Sequence, residues 1–161
     1  MNYNTIKQLD IANGPGCRVS LFVQGCAFNC PGCFNSVAKD FDGGKPFTKQ
    51  TVDHIMDLCA ADHISGLSIL GGEPLHPINR SDVLKLTKEF KIRYPDKTIW
   101  IWTGYLFEEV SDFITEDIDV LVDGRFVEEL KDLRLAYAGS SNQRVIDVKQ
   151  SLTTGVLTLY K

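Results

Sequence analysis

No stretch of this sequence holds the ~20 consecutive apolar residues that a membrane-spanning helix needs, so no membrane span is expected. A basic excess is missing too. Seventeen Lys and Arg face 21 Asp and Glu, for a net charge of −4 and a pI of about 5.3. That balance excludes the electrostatic footprint of a nucleic-acid binder. Internal repeats, linkers and low-complexity segments are absent. Met1-Asn2-Tyr3-Asn4-Thr5 offers neither a basic n-region nor an apolar h-region, so no signal peptide is expected and the cytoplasm is the expected compartment. Histidine is scarce. His54, His63 and His76 are the only three, and none stands at zinc-finger spacing from another ligand. Five cysteines make an odd number, which argues against a secreted disulfide scaffold.

What is present is the composition of an ordinary globular domain. With 43% hydrophobic and 24% charged residues, 161 residues suffice for one domain with a useful core. Three of the cysteines crowd into Cys26-Ala27-Phe28-Asn29-Cys30-Pro31-Gly32-Cys33. Pro and Gly make this stretch a poor helix and a poor strand, so it reads as a loop that can point several sulfurs inward. Clustered thiolates suit zinc or an iron–sulfur cluster. A structural zinc site needs four ligands, and a fourth from Cys17, His54, His63 or His76 lacks the right spacing. Three thiolates on a four-iron cluster leave one iron open, and spacing favours that reading only somewhat over zinc. Cys59 falls on the apolar face of an expected helix and reads as a buried thiol. Cys17 also reads as packing.

Along the chain, Ile6–Ile11 alternates like an edge strand, and Asn13-Gly14-Pro15-Gly16 is a turn. Residues 18–23 form a β-rich run leading straight into the cysteine loop. Thr48 is an N-cap candidate for a helix from Lys49 to about Ala61, with Val52, Ile55, Met56 and Cys59 as its apolar stripe. Further strands are expected at 66–70, 98–103, 119–123 and 143–148, with helices at 81–94 and 107–113. Residues 149–161 stay unassigned. Nearly continuous apolar strands alternating with amphipathic helices imply an α/β fold with a parallel sheet covered by helices. The chain is too short for the ~250 residues of an eight-fold barrel, so an open, partial (βα) barrel is expected.

Four of these strands end in glycine-containing loops: Gln24-Gly25-Cys26, Gly71-Gly72-Glu73, Thr103-Gly104 and Asp123-Gly124. Ligands of parallel α/β folds bind at the carboxyl ends of strands, so the four loops should gather at one rim.

Cys26-x3-Cys30-x2-Cys33 followed by Gly71-Gly72-Glu73-Pro74 resembles the radical S-adenosylmethionine enzymes. Asn13-Gly14-Pro15-Gly16, Cys33-Phe34-Asn35, Trp102-Thr103-Gly104-Tyr105, Val122-Asp123-Gly124-Arg125-Phe126 and Gly139-Ser140-Ser141-Asn142-Gln143 narrow the likeness to activases of anaerobic (class III) ribonucleotide reductases. The likeness runs from residue 2 to 148 and implies one radical S-adenosylmethionine domain over 1–148. It implies that Cys26, Cys30 and Cys33 hold a [4Fe–4S] cluster whose open iron chelates S-adenosylmethionine. Gly71, Gly72 and Glu73 then support the methionine amino group, and Gly32, Cys33 and Phe34 line the adenosyl moiety. The aromatic residue that many radical S-adenosylmethionine enzymes place just before the third cysteine is Gly32 here, with Phe34 just after it.

The implied activity is generation of a glycyl radical, by reductive cleavage of S-adenosylmethionine to methionine and a 5′-deoxyadenosyl radical. The implied partners are the large catalytic subunit of the reductase and a one-electron donor such as a flavodoxin. Alternatives are an activase of a formate-lyase-type enzyme, a small-molecule radical enzyme, and a non-catalytic electron-transfer or zinc-binding module. Bland readings compete at single residues. Glu73 could be an acid favoured at a helix N-terminus. Trp100 and Trp102 read as strand packing. Asp123 could bind a cation or cap a turn, and Asn142-Gln143-Arg144 could dock a partner or close the last strand.

Overall fold

A computed structural model describes residues 1–161. β1 (Asn2–Asp10), β2 (Cys17–Val23), β3 (Lys45–Pro46), α1 (Lys49–Cys59), β4 (Ile64–Gly71), α2 (Pro77–Arg93), β5 (Thr98–Trp102), α3 (Phe107–Val110), β6 (Val120–Asp123), β7 (Arg144–Asp147) and α4 (Val148–Thr154) follow one another. All seven strands form one sheet in the order β3-β1-β2-β4-β5-β6-β7. β2, β4, β5 and β6 run parallel, and the pairs at both flanks run antiparallel. The expected parallel sheet is therefore the centre of a mixed one. Parallel neighbours need a crossover of a dozen or more residues, which α1, α2 and α3 supply. The short turn between β1 and β2 can only reverse the chain. β1 also lies second from the edge, capped over Asn2 and Tyr3 by β3, which the sequence did not announce.

Parallel strands added successively in one direction through right-handed crossovers place their helices on one face. Val19, Leu21 and Val23 of β2, Leu67 and Ile69 of β4, Ile99 and Ile101 of β5, Leu121 of β6 and Ile146 of β7 all face that side. They bury against Ile55, Met56 and Cys59 of α1, Val83, Leu86 and Phe90 of α2, and Val148 of α4. The alternate residues turn to the opposite face, where Trp100, Val120 and Val122 form a second small cluster with Tyr137. Burial on both faces explains why the strands read as continuous apolar runs rather than alternating ones.

Thr48 caps α1 reciprocally with Thr51, as its position implied. α2 begins at Pro77, four residues before the expected start at Ser81. His76 Nδ1 accepts the Ile78 amide at 3.2 Å and Pro77 occupies the first helical position, where its missing N–H costs nothing. The unassigned tail folds back. After α4, the Asp147 amide donates to Thr158 and the Tyr160 amide to Val145, while Tyr160 meets Trp100 edge-on at 5.0 Å. None of the helices is long and apolar enough to cross a membrane.

Candidate functional site at the carboxyl ends of the parallel strands

The four glycine loops do meet. A cavity of about 470 Å³ is lined by Cys26, Cys30 and Cys33 after β2, Gly71, Gly72 and Glu73 after β4, Thr103 and Gly104 after β5, and Gly124 after β6. Such a volume lies in the range of small-ligand sites. Backbone bonds set the first two loops side by side: the Gly72 amide donates to Val23 at 2.9 Å and the Glu73 amide to Gly25 at 2.8 Å. That approach demands glycine. A Cβ on Gly72 would overlap the Gly25 carbonyl oxygen and lie 2.9 Å from the Ala38 oxygen.

The cysteine loop is anchored from below and from the side. Its root is fixed by the Gly25 amide on Ala38 at 2.8 Å, the Cys26 amide on Lys39 at 3.0 Å, and the buried Gln24 amide group donating to Asp40 at 2.8 Å. Phe28, between the first two cysteines, lies against Gly104 and meets Tyr105 edge-on at 4.8 Å. The Arg125 guanidinium covers the same ring at 4.3 Å. All three cluster cysteines are half-buried and free, whereas Cys59 is fully buried in the core. Burial pushes the Cys26 thiol up to about 11. A coordinated cation overrides that preference, because a thiol binds as the thiolate.

No three His, Cys, Asp or Glu side chains converge closely enough to hold a single metal ion. Three soft thiolates on one loop, with no histidine in the cavity lining, are a donor set that suits the separate irons of an iron–sulfur cluster. The histidines do not contribute. His76 is engaged as the cap of α2 and stacks on Phe41 at 4.5 Å, and neither His54 nor His63 lines the cavity.

Glu73 is only 2% exposed. Its Oε1 accepts the Thr103 hydroxyl at 2.6 Å and the Leu75 amide at 2.9 Å, and its Oε2 accepts the Gly104 amide at 2.7 Å. Burial raises its pKa to about 6 despite these donors. The carboxylate therefore ties the β4 loop to the β5 loop, and Oε2 keeps acceptor capacity toward the cavity.

Phe34 lines the cavity but is 58% exposed, packed on Phe126 at 4.9 Å and beneath Lys131 at 5.2 Å. Gly32, at φ +69°, lies beside Glu128 and outside the cavity lining. Trp102 reaches the cavity, with Nε1 donating to Tyr137 at 2.7 Å, while Trp100 stays in the interior cluster. Asp123 is fully buried, accepts the Phe107 amide at 2.7 Å and pairs with Arg144, so it caps α3. Gln143 closes the last strand: its Oε1 accepts from Gly139 at 2.8 Å and its Nε2 donates to Gly124 at 2.8 Å. Phe28 and Arg125 stood in quoted motifs without a role of their own, and Asn79 escaped the sequence reading. For Asn79 a signal existed, since His76-Pro77 marks a helix start just before it.

Comparisons with known proteins agree with this geometry. A family model described as a 4Fe-4S single cluster domain matches residues 12–146. The anaerobic ribonucleoside-triphosphate reductase-activating protein of Escherichia coli K12 is 45% identical over 150 residues, which cover 90% of this chain and 97% of that protein. The proteins of the same name from Enterobacteria phage T4 and Vibrio cholerae are 41% and 43% identical, covering 90% and 89% of this chain and 93% and 96% of theirs. With a family match running through all four rim loops and relatives alike over nearly their whole length, the chain belongs to the anaerobic ribonucleoside-triphosphate reductase-activating proteins.

Proposed function

We propose that this protein activates an anaerobic ribonucleoside-triphosphate reductase by generating its glycyl radical with S-adenosylmethionine. The observation that carries the reading is the meeting of three cysteine thiols and Gly71-Gly72-Glu73 around one cavity, on the adjacent parallel strands β2 and β4. The open sheet with its helices on one face is then a partial (βα) barrel of radical S-adenosylmethionine type. Residues 1–148 carry it as one domain.

In this reading Cys26, Cys30 and Cys33 hold a [4Fe–4S] cluster. When bound, the cluster supplies one electron that cleaves S-adenosylmethionine to methionine and a 5′-deoxyadenosyl radical, which takes hydrogen from a glycine of the reductase. The chain's own residues bind, orient and exclude water. Gly72 lets two loops approach closely enough to share a ligand. The Gly71-Gly72-Glu73 segment receives the methionine amino group, with Glu73 holding that backbone against Thr103 and Gly104. Cys33 and Phe34, which line the cavity, offer the adenosyl-facing surface, while Gly32 lies just outside that lining. Cavity residues Phe34 and Leu133 are exposed apolar groups, which suits closure by a second protein. The partner is the large catalytic subunit of the reductase, and the electron donor is of flavodoxin type. The names of the relatives favour the reductase over a formate-lyase-type partner. Thiols kept reduced fit the cytoplasm.

The test is anaerobic reconstitution with iron and sulfide, followed by reduction in the presence of S-adenosylmethionine. 5′-Deoxyadenosine should form, and adding the reductase subunit should give a glycyl-radical resonance. A preparation that binds zinc and no iron sinks the reading. A radical formed only on a formate-lyase-type partner moves it to the alternative.

A further inference from the structure

Beneath the rim, a single buried amide holds both loops. Asn79 lies in the first turn of α2 and is 0% exposed. Its Nδ2 donates to the Gln24 carbonyl at 3.0 Å, the Glu73 carbonyl at 3.0 Å and, as a longer contact, the Gly25 carbonyl at 3.4 Å. Gln24 and Gly25 are the root of the cysteine loop, and Glu73 closes the Gly71-Gly72-Glu73 segment. Among uncharged side chains, only a primary amide offers two hydrogens from one nitrogen to such a set of converging oxygens.

The other end of the same side chain is revealing. Asn79 Oδ1 is buried with no hydrogen-bond partner. Burying an unpaired acceptor is costly, and an apolar residue of similar size would avoid that cost. What Asn79 contributes is therefore its donation to the carbonyls of the two loops. It does not line the cavity, so any effect on a ligand must pass through those loops.

We infer that Asn79 is a positioning residue for cleavage of S-adenosylmethionine. It fixes the spacing between the loop that carries Cys26, Cys30 and Cys33 and the backbone that receives the methionine end of the cosubstrate. The inference rests on the proposed function. Catalytic geometry is steep in distance, since a displacement of ~1 Å can cost ~100-fold in rate.

The test uses reconstituted wild-type protein beside Asn79→Asp, which keeps the shape and removes the NH2 donor, and Asn79→Ala as the second variant. Three quantities are read: iron content, the dissociation constant for S-adenosylmethionine, and backbone amide exchange. The expected result is unchanged iron, affinity weakened about tenfold or more, and faster exchange confined to the amides of Gly25, Cys26, Gly72 and Glu73. A uniform acceleration that includes the core amides of β4 and β5 makes Asn79 a general fold prop and overturns the inference. Unchanged affinity in either folded variant overturns it as well. If wild-type protein itself fails to bind S-adenosylmethionine, the proposed function fails, and that outcome is distinct from both.

Discussion

At the scale of the residue, Glu73 is the most heavily constrained group at the site. Desolvation raises its pKa from 4.5 to about 6, with Thr103, Gly104 and Leu75 opposing that rise. The sign follows from proton counting. Between pH 4.5 and 6 the folded state binds more protons at this group than the unfolded state does, so stability from Glu73 falls as pH rises through that window. The cost is fully present above the folded value and amounts to about 2 kcal/mol. Urea denaturation of the metal-free protein at pH 4.5 and 7 should show it as a difference between wild type and Glu73→Gln, with the variant losing less. Parallel curves would contradict the assignment. The cysteines divide just as sharply. Cys26→Ser, Cys30→Ser and Cys33→Ser should each abolish iron binding. Cys59→Ser, in the core away from the cavity, should keep the visible absorbance and change only stability.

At the scale of the element, the rim works because neighbouring loops touch without side chains between them. Gly72→Ala forces a Cβ onto the Gly25 carbonyl, an overpacking of roughly 1–3 kcal/mol. The loops should part, so the midpoint of thermal unfolding and the iron bound after reconstitution should fall together. Lower down, Arg18 is fully buried and makes no ion pair with a carboxylate. Its Nε donates to Ser68 at 2.7 Å, Nη1 to Thr98 Oγ1 at 2.9 Å and Pro15 at 3.4 Å, and Nη2 to Leu67 at 3.0 Å and Thr98 O at 2.9 Å. Burial lowers its pKa to about 10, yet it stays charged at neutral pH. One guanidinium thus pins β2, β4, β5 and the turn at residues 13–16, which a lysine cannot do with a single ammonium. Arg18→Lys should cost roughly 2–4 kcal/mol in denaturant unfolding, because buried acceptors lose their donors.

At the scale of the whole molecule, the sheet is closed on its helical face and open at its strand ends. The last residues guard the opposite flank. Lys149 pairs with Asp119 at 2.9 Å, Leu159 bridges Ile146, and Tyr160 covers Trp100. Truncation after Val148 should leave the rim in place but expose β7 and Trp100, destabilising the protein by roughly 2–3 kcal/mol. A red shift in tryptophan emission with retained iron binding would confirm that division of labour. Loss of iron binding would tie the tail to the site instead.

The chain's own order of residues determined the chemistry and the sequence of elements. Cys26, Cys30 and Cys33 stand out as candidate ligands because three thiols at short spacing lie on one loop, and local spacing is what a sequence displays. The strands and α1 are legible because burial on both faces and a capped apolar stripe leave local patterns. The meeting of Cys26 with Gly72, 46 positions away, was also expected, because loops at the carboxyl ends of parallel strands share one rim once β2 and β4 are neighbours. Two things were decided only in the folded molecule. Antiparallel flanks depend on which connections are long enough to cross the sheet. The roles of Asn79, Arg18 and Phe28 depend on polar and aromatic contacts across 50 or more residues, which no local pattern encodes. Hydrogen bonding and ring contact are short-ranged in space and indifferent to distance along the chain, so their partners become visible only once the sheet has brought them together.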